Sequence, residues 1–179
     1  MPTQAFSGPL QQAGPIVQPS ALVSTAEEVM WAAADFSRIP ANDAVPGKLY
    51  ILRAGGIMSW ASTGTLVLTP RMGLVIGSPT LGVSVVALTT PGVTTAHAWM
   101  LELRCMIRVI GAAGANSTAI ATGMFLSSGI GTLGTGTVQS MGGTAATFDA
   151  SIATGITITK TLSVAGSITV QYVSLEAIG

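Results

Sequence analysis

Between Trp99 and Val109 every odd position is apolar. Trp99, Leu101, Leu103, Cys105, Ile107 and Val109 are apolar, while Glu102, Arg104 and Arg108 occupy alternate positions between them. A period of two residues belongs to a β-strand with one buried and one open face. On a helix the same residues would wind around every side. Glu102 and Arg104 fall on one face two residues apart, close enough for a local ion pair. Exposed pairs of that kind contribute about 0–1 kcal/mol. Two readings of the charged face stay open. It is a solvated exterior, or it is a seam in a subunit interface where Arg104 and Arg108 meet carboxylates of a neighbour.

The same logic extends along the chain. Segments 47–60, 64–77, 80–89, 98–111, 117–128, 155–165 and 167–178 read as strands, each bounded by Gly, Pro, Asn or Ser-Gly punctuation. Thr25 followed by Glu27 and Glu28 resembles a helix start, but Pro40 closes the run and the following segments are β, so a strand is favoured. Segment 127–148, dense in Gly, Thr and Ser, reads as a mixture of strand and loop. Strands at this spacing point to an all-β sandwich or barrel of about eight or nine strands. Trp31, Trp60 and Trp99, spread over three strands, are expected in its core.

Residues 1–24 differ from the rest. They hold Pro2, Pro9, Pro15 and Pro19, four glutamines and no charge. Proline fixes φ and removes a hydrogen-bond donor, which suits an extended arm rather than a helix or a central strand. Phe6, Leu10, Ile16, Val17 and Leu22 give the arm apolar anchors, and the first four are candidate contacts with a neighbouring subunit. A floppy terminus is the alternative. The domain plan is therefore an arm over 1–24 and a sandwich over 25–179.

Composition raises the question of membranes. Hydrophobic residues make up 49% of the 179 and charged residues 8%, with a mean hydropathy of +0.64. The longest stretch free of Asp, Glu, Lys and Arg, Val109 to Phe148, is broken by Gly, Thr and Ser every few residues. A spanning helix needs about 20 consecutive apolar residues, so none is expected. The N-terminus also lacks the basic start and apolar core of a secretory signal. Seven basic and seven acidic residues cancel. No field draws the protein toward nucleic acid or an anionic membrane. Low charge density with zero net charge makes a poorly soluble monomer. The exterior is accordingly expected to lie against other protein.

Chemistry-bearing motifs are scarce. His97 and Cys105 are the single histidine and cysteine. On one strand their eight-residue separation spans about 26 Å, too far for a nucleophile and its base. Cys105 reads as a buried structural thiol and His97 as a surface residue at a turn before the strand. One cysteine excludes an internal disulfide and a cysteine-based metal cluster. Glu27 and Glu28 are neighbours, and adjacent strand residues face opposite ways, so they cannot flank one glycosidic bond. Asp43 beside Asn42 is the one candidate for a calcium site, and its setting, "IPANDAVPG", reads better as a turn. The glycines around 134–137 lack the lysine and the strand–turn–helix setting of a phosphate loop. No catalytic residue, cofactor or metal is expected, and the chain is not read as an enzyme.

Three stretches carry a resemblance: "IPANDAVPGKLYILRAGGIMSW" (39–60), "AWMLELRCMIRVIGAAGANSTAIATGMF" (98–125) and "SITVQYVSLEAIG" (167–179). They resemble an early strand passage, a central hairpin and the closing strand of jelly-roll domains in tailed-phage virion proteins, over residues 25–179. The resemblance implies an antiparallel jelly-roll β-sandwich, its partners being further copies in a homotrimer and a major capsid protein. It implies a virion structural component such as a capsid decoration protein, a head fibre or a tail-tip part, and the reading taken is a decoration protein that docks on the shell and bridges subunits through its arm. The protein would then be made in the host cytoplasm and reside in the virion. A tail-tip or fibre domain that binds host glycans is the alternative, and a carbohydrate-active enzyme on the same fold is a remoter one. The matching motifs are structural and carry no catalytic residues.

Overall fold

A computed structural model describes residues 8–12, 26–31, 38–81, 88–90, 94–128 and 137–179. The first strands are short: β1 (Gly8–Gln12), β2 (Glu28–Val29) and β3 (Arg38–Ile39). Then come β4 (Leu49–Trp60), β5 (Gly64–Met72), β6 (Leu88–Thr90), β7 (Thr94–Val109) and β8 (Ser117–Ser127). β9 (Thr137–Phe148), β10 (Thr154–Leu162) and β11 (Gly166–Ile178) complete the chain. No helix occurs among the described residues. All pairings of these strands are antiparallel, in two sheets: β1-β11-β4-β7-β8-β9 and β2-β10-β5-β6, with β3 also on β10. Four of the pairs are nested in sequence: β1 with β11, β2 with β10, β4 with β7 and β5 with β6.

Alternation makes this a sandwich. On β4 the even positions Tyr50, Leu52, Ala54, Met58 and Trp60 are buried; on β7 the odd positions Trp99 to Ile107 are. A sheet with one apolar face must cover it, and a second sheet does so here. Leu66, Leu68 and Met72 of β5 and Ile156, Ile158 and Leu162 of β10 join those side chains in one continuous core. Trp31, Trp60 and Trp99 all lie within it, as expected. Trp99 stacks on Phe125 of β8, with ring centroids 6.0 Å apart.

Four boundaries differ from the sequence reading, each for a tertiary reason. Residues 8–12, inside the expected arm, form an edge strand on β11 of their own chain. Segment 64–77 leaves the sheet at Met72, where Gly73 and Gly77, at φ 142° and 92°, turn the chain. His97 lies within β7, not at a turn before it, because the ladder with β4 continues to Thr94 opposite Trp60. The eleven strands exceed the expected eight or nine because β1 lies in the expected arm and two short strands, β2 and β3, stand where one was expected before Pro40.

One glycine fixes how the central strands fit. The β4–β11 ladder slips between Val170 and Tyr172, and a Cβ on Gly56 would collide there with the carbonyl oxygen of Thr169. Gly56→Ala is expected to lower unfolding free energy by about 1–3 kcal/mol through overpacking, read from urea denaturation. An unchanged midpoint would show that β11 does not cross β4 at this bulge.

Candidate interaction surface

The outer face of the six-stranded sheet carries the side chains that the core does not take. Large apolar residues left exposed on it are Met100 and Met106 of β7, Met124 of β8, and Tyr172 and Ile178 of β11. Most of the other exposed large apolar residues sit in turns or at strand ends, such as Val75, Ile76 and Ile152, so this is where they gather into a face. By register four of the face's residues form two rows, Tyr172 with Met100 and Ile178 with Met106, on either side of the rungs that carry Arg53, Glu102, Glu176 and Arg104; exposed apolar groups gathered on one face mark a candidate interaction site. Register sets the arrangement. Met100 stands opposite Gly55 on one side and Leu126 on the other, and Tyr172 stands opposite Gly55 from β11. The Tyr172 ring lies over Gly55, where any Cβ would meet it.

A chain of ion pairs crosses this face. Glu176 Oε2 accepts from Arg53 NH1 at 2.7 Å, and Arg53 Nε donates to Glu102 Oε2 at 2.9 Å. Glu102 Oε1 accepts from Arg104 Nε at 2.8 Å. Acid and base alternate, and three strands, β11, β4 and β7, are tied together. Hydrogen bonds from Arg53 and then Arg104 hold the Glu102 carboxyl below its usual proton affinity. The same bonds, from Glu102 and Glu176, raise that of Arg53. These groups are a fifth to three-fifths exposed, so each pair stabilises the monomer modestly.

The expected site residues meet this geometry unevenly. Glu102, Arg104 and Arg108 share the outer face of β7; Arg104 is paired with Glu102 of its own chain, and Arg108 is exposed. Leu10 lies in β1 beside β11, and Phe6, Ile16 and Val17 fall outside the described residues. Sequence reasoning missed Arg53, Glu176 and Tyr172. The signal was available in the odd positions of β4, but the partners lie 49 and 123 residues apart.

The remaining polar clusters are fasteners. Lys48 Nζ, fully buried, donates to Asp43 Oδ1 at 2.7 Å and to the Asp43 carbonyl, while Tyr50 donates its hydroxyl to Asp43 Oδ2 at 2.9 Å. Burial, then the Asp43 bond, pushes the Tyr50 proton affinity up. Asp43 thus ties its turn to β4. Glu27 accepts from Arg71 and Thr159, whereas Glu28 pairs with buried Lys160 at 2.9 Å. The two adjacent glutamates act on opposite sides of β2, as strand geometry requires. Asp149 accepts from the Gly114 and Ser151 amides and joins two turns. No group of three or more metal-ligating side chains occurs among the described residues. Burial pushes the Cys105 thiol up to about 12.

Three outcomes follow from these contacts. Asp43→Ala strands Lys48 as an unpaired buried charge and should cost about 3–5 kcal/mol of stability; adding Lys48→Met should recover part of it in the same denaturation assay. Glu27, held low first by Thr159 and then by Arg71, and Glu102 both bind protons less readily when folded. Their stabilisation is complete above the ordinary carboxylate value of 4.5 and disappears as pH falls through their lowered folded values. Stability should therefore hold down to about pH 5 and decline below it, with a shallower decline in the Glu27→Gln/Glu102→Gln variant. Cys105 should react with a thiol-specific disulfide reagent only on unfolding; rapid labelling of the native protein would contradict its burial.

No family model matches this chain, and no curated protein or solved structure matches it.

Proposed function

We propose that this protein is a structural assembly component: a jelly-roll sandwich whose six-stranded sheet packs on other protein subunits, most specifically a decoration protein on the capsid of a tailed phage. The observation that carries the assembly reading is the outer face with Met100, Met106, Met124, Tyr172 and Ile178 exposed around ion pairs that already satisfy one another. Such a face offers apolar area without a charge requirement that only water or a charged ligand could meet. Methionine side chains adapt to a partner's contours at low cost.

The nested pairs support the jelly-roll part of the reading. A long antiparallel ribbon pairing β1 with β11, β2 with β10, β4 with β7 and β5 with β6 rolls up to give the adjacent pairs β11–β4 and β10–β5. β8 and β9 then extend one sheet beyond β7. The virion part rests on the resemblance of 39–60, 98–125 and 167–179, and the major capsid protein is the proposed partner. A glycan-binding tail or fibre domain remains the second reading, favoured by the exposed Tyr172 ring beside Arg53, since aromatic faces stack on sugars.

Peptide mass spectrometry and cryo-EM of purified particles test the main reading. The chain is expected on the particle in fixed stoichiometry with its six-stranded sheet covered, and Met124→Glu should abolish its incorporation while leaving the fold intact. Absence from particles, together with binding on a glycan array that Tyr172→Ala removes, would favour the second reading.

A further inference from the structure

The ion pairs on the outer face have an order that suits one partner above others. Glu176 of β11 stands opposite Ile51 of β4, and Ile51 stands opposite Arg104 of β7. Across the sheet this rung therefore reads acid, apolar, base. In the next rung Ser174 stands opposite Arg53 and Arg53 opposite Glu102.

We infer that the partner of this face is a second copy of the same chain, stacked sheet on sheet about a two-fold axis running along β4. The inference rests on the assembly reading above and names its partner. Such an axis reverses each rung. Glu176 of one copy then lies over Arg104 of the other, and Arg104 over Glu176, on either side of Ile51. Arg53 falls on the axis and meets its own image, but two carboxylates, Glu102 and Glu176, already hold it. An isologous contact of this kind closes with two subunits. It replaces the three-fold arrangement that the resemblance implies.

Two further observations favour a second copy. The ion-pair chain holds two carboxylates and two guanidiniums, so two such ion-pair chains do not repel each other, and Arg108 at the end of β7 lies outside them. An acidic or a basic partner would have to break these pairs to gain from its charge. The face is also large enough. With the axis on β4 the overlapping strands are β11, β4 and β7 in full and β1 with β8 over five residues; at about 4.8 Å spacing and 3.3 Å per residue they cover about 600 Å² on each partner, the lower end of a standard interface. Aligned sheets pack about 10 Å apart, which leaves room for Met100 to meet the other copy's Tyr172 and for Met106 to meet its Ile178, since each pair shares a rung on either side of β4.

Charge exchange tests the pairing on the full chain by sedimentation velocity, with circular dichroism to check folding. The wild-type chain is expected to sediment as a dimer. Arg104→Glu and Glu176→Arg should each weaken dimerisation by about tenfold or more, because like charges then face each other twice. The double exchange should return affinity to within about threefold of wild type. Within one chain the same double exchange sets like charges beside Glu102 and Arg53, so an effect confined to the monomer would make it the worst of the three. A monomeric wild type, single variants that dimerise unaltered, or a double variant weaker than either single would overturn the pairing. A monomer that still incorporates into particles would overturn the pairing alone; a dimer absent from particles would overturn the virion reading alone.

Discussion

Burial of one face of each long strand is the constraint on which the rest of the molecule depends. β4 and β7 supply it most strictly, with Leu52, Ala54, Leu101 and Leu103 fully enclosed on alternating positions. Because the side-chain period is two, their register leaves no freedom: a slip by one residue would turn Arg53, Glu102 and Arg104 into the core. The two strands pair over nearly their full length, and β11 on one side and β8 on the other extend the same apolar layer. The second sheet then exists to cover it.

Charge is distributed according to that division. Where a charge enters the interior it is paired at once: Lys48 with Asp43, Lys160 with Glu28. Such pairs do little for net stability, since desolvation offsets their attraction, yet breaking one is costly. They serve to fix turns and short strands that have little apolar area of their own. On the outer face Glu176, Arg53, Glu102 and Arg104 are also paired, although water could have satisfied them. That arrangement leaves the apolar side chains around them as the face's main unmet demand. The proposed function rests on this surface.

Much of the architecture was legible in local pattern. The strand over 98–111, the return strand over 117–128 and the closing strand over 167–178 all occur within a few residues of their expected bounds. Trp99 and Cys105 were assigned to the core from parity, Trp31 and Trp60 from their place on expected strands, and all four lie there. Parity fails where a strand is too short to have a period. β2 and β3 have two residues each, and their existence is decided by β10. It fails also for partnership. Glu102 and Arg104 are neighbours in sequence, but Arg53 and Glu176 reach them only through the sheet, so the sequence showed a local pair and not the network. The exposed methionines were passed over for a related reason: an apolar residue on the charged face looks like noise until its neighbours on adjacent strands are known.

The central claim is that this outer face is covered by protein when the molecule is at work, and methionine oxidation reads that directly. Peroxide converts an accessible methionine to its sulfoxide, which mass spectrometry locates. Met30, Met58, Met72 and Met141, all buried in the core, serve as internal controls. In the dissociated chain Met100, Met106 and Met124 should oxidise well ahead of those four. In the assembled protein the account predicts that these three become as resistant as the core methionines; equal oxidation of Met100, Met106 and Met124 in both states would contradict it.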